Sequence, residues 1–120
     1  MRIKNDELVL SGTDMTAGIT SNAIYLGHII NFAVQAVYTG SPDGTISLEA
    51  SNDKGADDTR TPNPTITNWT SITSQAVSAA GSIMFNVQDC GYRWVRLRWV
   101  DSASGSPSTM TNARINVKGI

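Results

Sequence analysis

Cysteine and histidine each occur once, as Cys90 and His28. A lone thiol closes no internal disulfide, so this fold is expected not to depend on oxidation. Structural or catalytic zinc needs three or four nitrogen and sulfur ligands, and the chain offers two at most. A Ser-His-Asp or Cys-His arrangement would need His28 in a cleft beside Asp89 or Cys90, and no motif supports one. Lysine is scarce, charged residues make up 16% of the chain and the net charge is −1, so no global field draws the protein to nucleic acid or an anionic membrane. No apolar run approaches the roughly 20 residues of a membrane span, and no basic-then-apolar leader follows Met1. The expectation is a protein made in the cytoplasm, without a signal peptide and without a cofactor.

What is abundant is Ser, Thr, Asn and Gly, a mixture that suits strands and turns and disfavours long helices. At 120 residues the chain fits a single domain, 1–120, able to bury a core without staples. The clearest β pattern is Gly91 to Val100, GYRWVRLRWV, where aromatic and β-branched residues alternate with polar ones. Alternation divides it into a core set, Val95, Leu97 and Trp99 with Arg93 at the entry, and an opposite set, Tyr92, Trp94, Arg96, Arg98 and Val100.

Met1 to Leu10 mixes charge with Ile3, Leu8, Val9 and Leu10; residues 1–11 suit either a first strand or an arm that orders against a partner. Ser11 to Ser21 reads as loop. Ile24 and Leu26 then share one side, Ala23 and Tyr25 the other. Ile29 to Thr39 reads as a strand, and Gly40-Ser41-Pro42-Asp43-Gly44 as a tight turn in which Gly44 takes a positive φ. Thr45 to Ser51 alternates strictly, so strand, turn and strand predict a hairpin. Residues 52–68 form a long loop. Trp69 to Ile72 reads as a short edge strand, and Ser74 to Gly81 is weakly patterned. Ile83, Phe85 and Val87 alternate in a further strand, which Asp89-Cys90-Gly91 joins to the next as a possible second hairpin. Residues 102–111 read as loop, and Ala113, Ile115 and Val117 mark the last strand. Seven or eight strands without a substantial helix predict an all-β antiparallel sandwich or jelly roll. Its expected core comprises Ile24, Leu26, Phe32, Val34, Ile46, Leu48, Trp69, Ile72, Ile83, Phe85, Val87, Val95, Leu97, Trp99, Ile115 and Val117.

Little in this pattern suggests catalysis. Asn52, Asp53, Asp57 and Asp58 gather oxygen ligands of the kind calcium takes, but their spacing matches no EF-hand loop. Asn68-Trp69-Thr70 is formally a glycosylation sequon, which lacks meaning without secretion. No spacing singles out a pair of carboxylates among Glu49, Asp43, Asp89 and Asp101, so an enzyme is not expected. Tyr92, Trp94, Arg96 and Arg98 are the functional lead, because aromatics and Arg are enriched at the centres of protein interfaces and also stack on sugars and single-stranded nucleic acid. Three readings stand beside one another: a covered strand whose Arg pairs with Glu49 of a neighbour, a protein contact, or a sugar or nucleic-acid contact, the last opposed by the net charge.

The stretch from the turn onward, GTISLEASND, a variable loop, NWTSI, IMFNV, GYRWVRLRWV and a final INVKG, resembles small β-sandwich virion proteins of tailed bacteriophages, a group that includes capsid decoration (cement) proteins and components near the tail. The resemblance covers about the C-terminal two-thirds of the chain. It implies a structural virion protein that binds and stabilises an assembled shell. It also implies the major capsid protein or another virion protein as partner, and a homo-oligomer, dimer or trimer. Ile3, Leu8 and Leu10 of the arm and Tyr92, Trp94, Arg96 and Arg98 are the expected contact residues. A related layout in carbohydrate-binding sandwiches supplies the alternative, with Tyr25, Tyr92 and Trp94 stacking on sugar rings; a tail, collar or baseplate subunit is a third.

Overall fold

The computed structural model describes residues 3–9, 12–26, 29–53, 66–102 and 107–119. Among them are ten strands and no helix. They are β1 (Ile3–Val9), β2 (Thr13–Asp14), β3 (Ile19–Thr20), β4 (Ile24–Tyr25), β5 (Ile29–Gly40), β6 (Gly44–Ser51), β7 (Thr70–Val77), β8 (Gly81–Val87), β9 (Trp94–Asp101) and β10 (Ser108–Gly119). Two antiparallel sheets result. The first runs β1-β10-β5-β8, with β2 also on β10; the second runs β3-β9-β6-β7, with β4 also on β9. Because β5 occupies one side of β10 throughout, β1 and β2 share the other side; β3 and β4 share one side of β9 in the same way. The ten elements therefore fill eight lanes, four to a sheet, in the arrangement of a jelly roll.

The predicted hairpin between β5 and β6 does not form. β5 pairs with β10 and β8, whereas β6 pairs with β7 and β9 in the opposite sheet, so Gly40–Gly44 is an arch that carries the chain across the sandwich. The link from β8 to β9 is a second arch, where a hairpin was the other expectation. Positive φ belongs to Gly40, at 86°, and not to Gly44. Gly44 serves space instead: a Cβ there would run into the Val100 carbonyl oxygen and meet the Trp99 indole at 2.8 Å. The loop expected over 102–111 is shorter, because β10 begins at Ser108. β7 spans eight residues where only a short strand at Trp69–Ile72 was expected. The N-terminal Ile3–Val9 is a strand, paired with β10 from Ile3↔Lys118 to Val9↔Ala113; Leu10 lies outside the described residues.

Inward side chains of both sheets interdigitate in one cluster. β9 supplies Val95, Leu97 and Trp99, β6 Ile46 and Leu48, β5 Phe32, Val34, Ala36 and Tyr38, β8 Ile83 and Phe85, and β10 Met110, Ala113, Ile115 and Val117. Each large side chain removed from water contributes about 1.5–3 kcal/mol. Ile24, Ile72 and Val87 are half-buried against this cluster, while Trp69, expected inside, lies outside it. Met15 and Ile19 join the core from the stretch read as loop. Tyr38 is buried there, which pushes its hydroxyl proton affinity up and keeps it neutral.

Candidate functional site

β9 is central in its sheet, flanked by β6 on one side and by β3 and β4 on the other. Its outward residues are Trp94, Arg96, Arg98 and Val100. Tyr92, expected on the same face, precedes the strand, so the alternation does not reach it; its ring is half-buried against the core cluster. The four remaining residues grade from sealed to open along the strand.

At the sealed end Trp94 has no accessible surface. The Tyr25 ring covers it at a centroid distance of 5.1 Å and a tilt of 57°, because Tyr25 is its register partner on β4. The Trp94 Nε1 donates to the Asp53 carbonyl at 3.2 Å. Around it the chain between β6 and β9 is knitted together: Arg93 N donates to Ser51 O and to Asn52 Oδ1, and Asp53 N donates to Ser51 Oγ. Asp53 itself accepts from the backbone amides of Thr67 and Asn68, both at 2.9 Å, and from the Asn68 side chain. These donors, those of Asn68 foremost, hold its carboxyl below the usual carboxylate range. A carboxylate saturated by N–H donors has little left for calcium; Asp57 and Asp58 lie outside the described residues.

Arg96 is the next residue outward. It faces Glu49 in register on β6, donates from Nε to Oε1 at 2.7 Å, and lays its guanidinium 4.2 Å from the centroid of the Trp69 ring. The Trp69 Nε1 in turn donates to the Ile66 carbonyl. Pairing of an Arg with Glu49, the covered-strand alternative, is the arrangement found, and stacking of this kind adds about 0.5–2 kcal/mol. Arg98, one pleat further, is exposed, and its guanidinium makes no ion pair or hydrogen bond among the described residues. Its row reads Thr20, Arg98, Ser47 and Ser74, and the next Val100, Thr45 and Ala76. Small, uncharged side chains thus flank Arg98 across the sheet, while along its own strand it stands between the Glu49-paired Arg96 and the 47% exposed Val100.

The remaining candidates are scattered. Cys90 is half-buried, and burial pushes its thiol up, leaving a protonated and weakly nucleophilic sulfur near neutral pH. His28 lies outside the described residues. Among the described residues no three His, Cys, Asp or Glu side chains gather in a way that would hold a metal ion, and no helix is long and apolar enough to cross a membrane. The side chains of Ile3 and Leu8 are not described.

Acid should loosen the sealed end. Because the folded Asp53 binds its proton less readily than the unfolded one, its contribution is complete above about pH 5 and is lost as the pH falls below about 4. Asp14, held low by its hydrogen bonds from Thr16, acts in the same direction. Asp53→Asn is expected to weaken the protein at pH 7 and to flatten the acid limb of a stability–pH curve measured by urea unfolding. An unchanged acid limb would exclude Asp53 as its source.

No family model matches the chain, and no curated protein matches it by sequence. Solved structures do match in shape. The SPBc2 prophage-derived protein YomS aligns at a TM-score of 0.57 and 15% identity, over 97% of this chain and 92% of its own. The first carbohydrate-binding module of family 29 from Piromyces equi aligns at 0.54 and 12%, over 98% and 93%. A subunit of the disulfide-linked pili of Bacillus endospore appendages aligns at 0.52 and 16%, over 98% and 89%. At these identities the likeness is one of fold, a β-sandwich shared by a phage-derived protein, a pilus protein and carbohydrate-binding modules.

Proposed function

We propose that the chain is a structural protein of a tailed-phage virion that decorates the assembled capsid, docking through the open end of the β9 face. The observation that carries this reading is Arg98, whose guanidinium has no partner among the described residues and is fixed on a central strand between Thr20 and Ser47, with Arg96 and Val100 before and after it on the same face. Such a surface suits a protein acceptor presenting a carboxylate or carbonyls, since Arg supplies directional donors and its small neighbours allow close approach. Shape similarity to a prophage-derived protein supports the phage setting. The sugar-stacking alternative wants exposed, coplanar aromatics, but Trp94 is sealed and Tyr25 is tilted against it.

The test is the amount of this protein on purified particles. Copies in proportion to the major capsid protein, and a shell that loses heat resistance without them, are expected. Arg98→Glu is expected to cut particle binding by about tenfold or more, as for an interfacial charge reversed in place, while the isolated variant unfolds at the parent's denaturant midpoint. A handful of copies per particle would instead place the protein in the tail or collar, and Arg98→Glu particles with full occupancy would remove Arg98 from the contact.

A further inference from the structure

Edges of β-sheets attract other strands, and proteins blunt them with charge, proline, bulges or brevity. Of the four sheet edges among the described residues, three carry such a device. β1 has Lys4, Asp6 and Glu7 in its sequence and a register shift between Glu7 and Val9. β3 and β4 are two residues each. β7 pairs irregularly where the register shifts between Leu48 and Glu49 of β6. β8 has none of them. Its seven residues include neither charge nor proline, and it pairs with β5 without a break from Tyr38↔Gly81 to Phe32↔Val87. It lies within a run, Thr61 to Gln88, that contains no Asp, Glu, Lys or Arg. At its centre stands Met84, 56% exposed, the most exposed large hydrophobic among the described residues.

We propose that β8 pairs antiparallel with β8 of a second copy of this chain about a two-fold axis at Met84, fusing two four-lane sheets into one of eight. In that register Met84 meets Met84 of the second copy, so each covers the other's exposed thioether. Ser82 meets Asn86, and Ile83 meets Phe85, which carries the row of core-facing side chains across the boundary. No charge faces its own symmetry mate, the condition a self-complementary interface must satisfy. Strand pairing alone buries little apolar surface. A cleft of about 560 Å³ opens between β7 and β8, however, lined in part by Ile72, Phe85, Val87 and Tyr92, and the second copy's flank closes over it. This pairing belongs to the isolated chain and does not depend on the decoration reading.

Light scattering on the purified chain over a range of concentrations tests it. The expected mass is twice 12.8 kDa. Met84→Lys and Met84→Glu, which set like charges against each other at the axis, are each expected to weaken self-association by about tenfold or more. An equal mixture of the two variants is expected to restore the dimer, which shows that both remain folded. A wild-type chain with any mass other than two copies overturns the proposal. So does a Met84→Lys variant that dimerises as the parent does, or a mixture that stays monomeric.

Discussion

Replacing Trp99 by alanine is expected to lower the free energy of unfolding by about 3–5 kcal/mol, a large share of the 5–15 kcal/mol typical of such a domain. The indole is 1% exposed and lies within the core cluster, so its loss removes apolar burial and leaves a cavity that central strands cannot collapse to fill. Its Nε1 also donates to the Met15 carbonyl at 2.8 Å. Met15 N donates to Ser108 O on β10, so this one side chain ties the second sheet to a segment anchored on the first. Trp99→Phe keeps most of the ring and isolates the hydrogen bond, for an expected cost of about 1–3 kcal/mol. Urea unfolding measures both; an alanine variant within about 0.5 kcal/mol of the parent, the range of ordinary surface changes, would show that Trp99 does not hold the sheets together.

Gly44→Ala is expected to cost about 3 kcal/mol or more, beyond what the added methyl suggests. The tighter contact is with the Val100 backbone carbonyl, in a strand held on both sides, and cannot be relieved by a rotamer change. The contact at 2.8 Å is with the Trp99 ring. In a Trp99→Ala background the second clash vanishes and the first remains, so Gly44→Ala should still destabilise, by less than in the parent. Full additivity of the two changes in a double-mutant cycle would show that the indole does not crowd Gly44.

The strands with one buried face were legible because period-two alternation is a local property. β6, β8 and β9 show it plainly, and the inward sets of all three are the ones that pack. Turn chemistry was legible as a turn but silent on what the turn joins: Gly40 and Pro42 bend the chain equally well in a hairpin or in an arch between sheets. Only the pairing of β5 with β10, some seventy residues onward, decides the matter. β7 escaped notice because Thr73 and Gln75, in register with the inward Leu48 and Ile46, are exposed and line the cleft, so no apolar alternation marks the strand. Met15 was hidden for the opposite reason, as an isolated apolar residue among Gly, Ser and Thr whose neighbours give it no period. On the β9 face the residue types were readable and their availability was not. Covering Trp94 takes Tyr25, and holding Arg96 takes the carboxylate of Glu49 and the ring of Trp69, all distant in sequence; Arg98 is left open because the same register brings it Thr20 and Ser47.

The place of β10 has a consequence for how the protein is made. It is the last of the described strands in sequence, yet it lies inside its sheet, between β5 and the lane that β1 and β2 share. During synthesis from the N-terminus, β1 and β5 wait on either side of a lane that does not yet exist, and the β6–β7 pair is the longest ladder that neighbouring strands complete by themselves. Closing so many distant contacts in one late step favours folding on the order of milliseconds to seconds. A ribosome-bound chain still lacking residues 108–119 would expose two unpaired strand edges to whatever lies nearby, other nascent copies included.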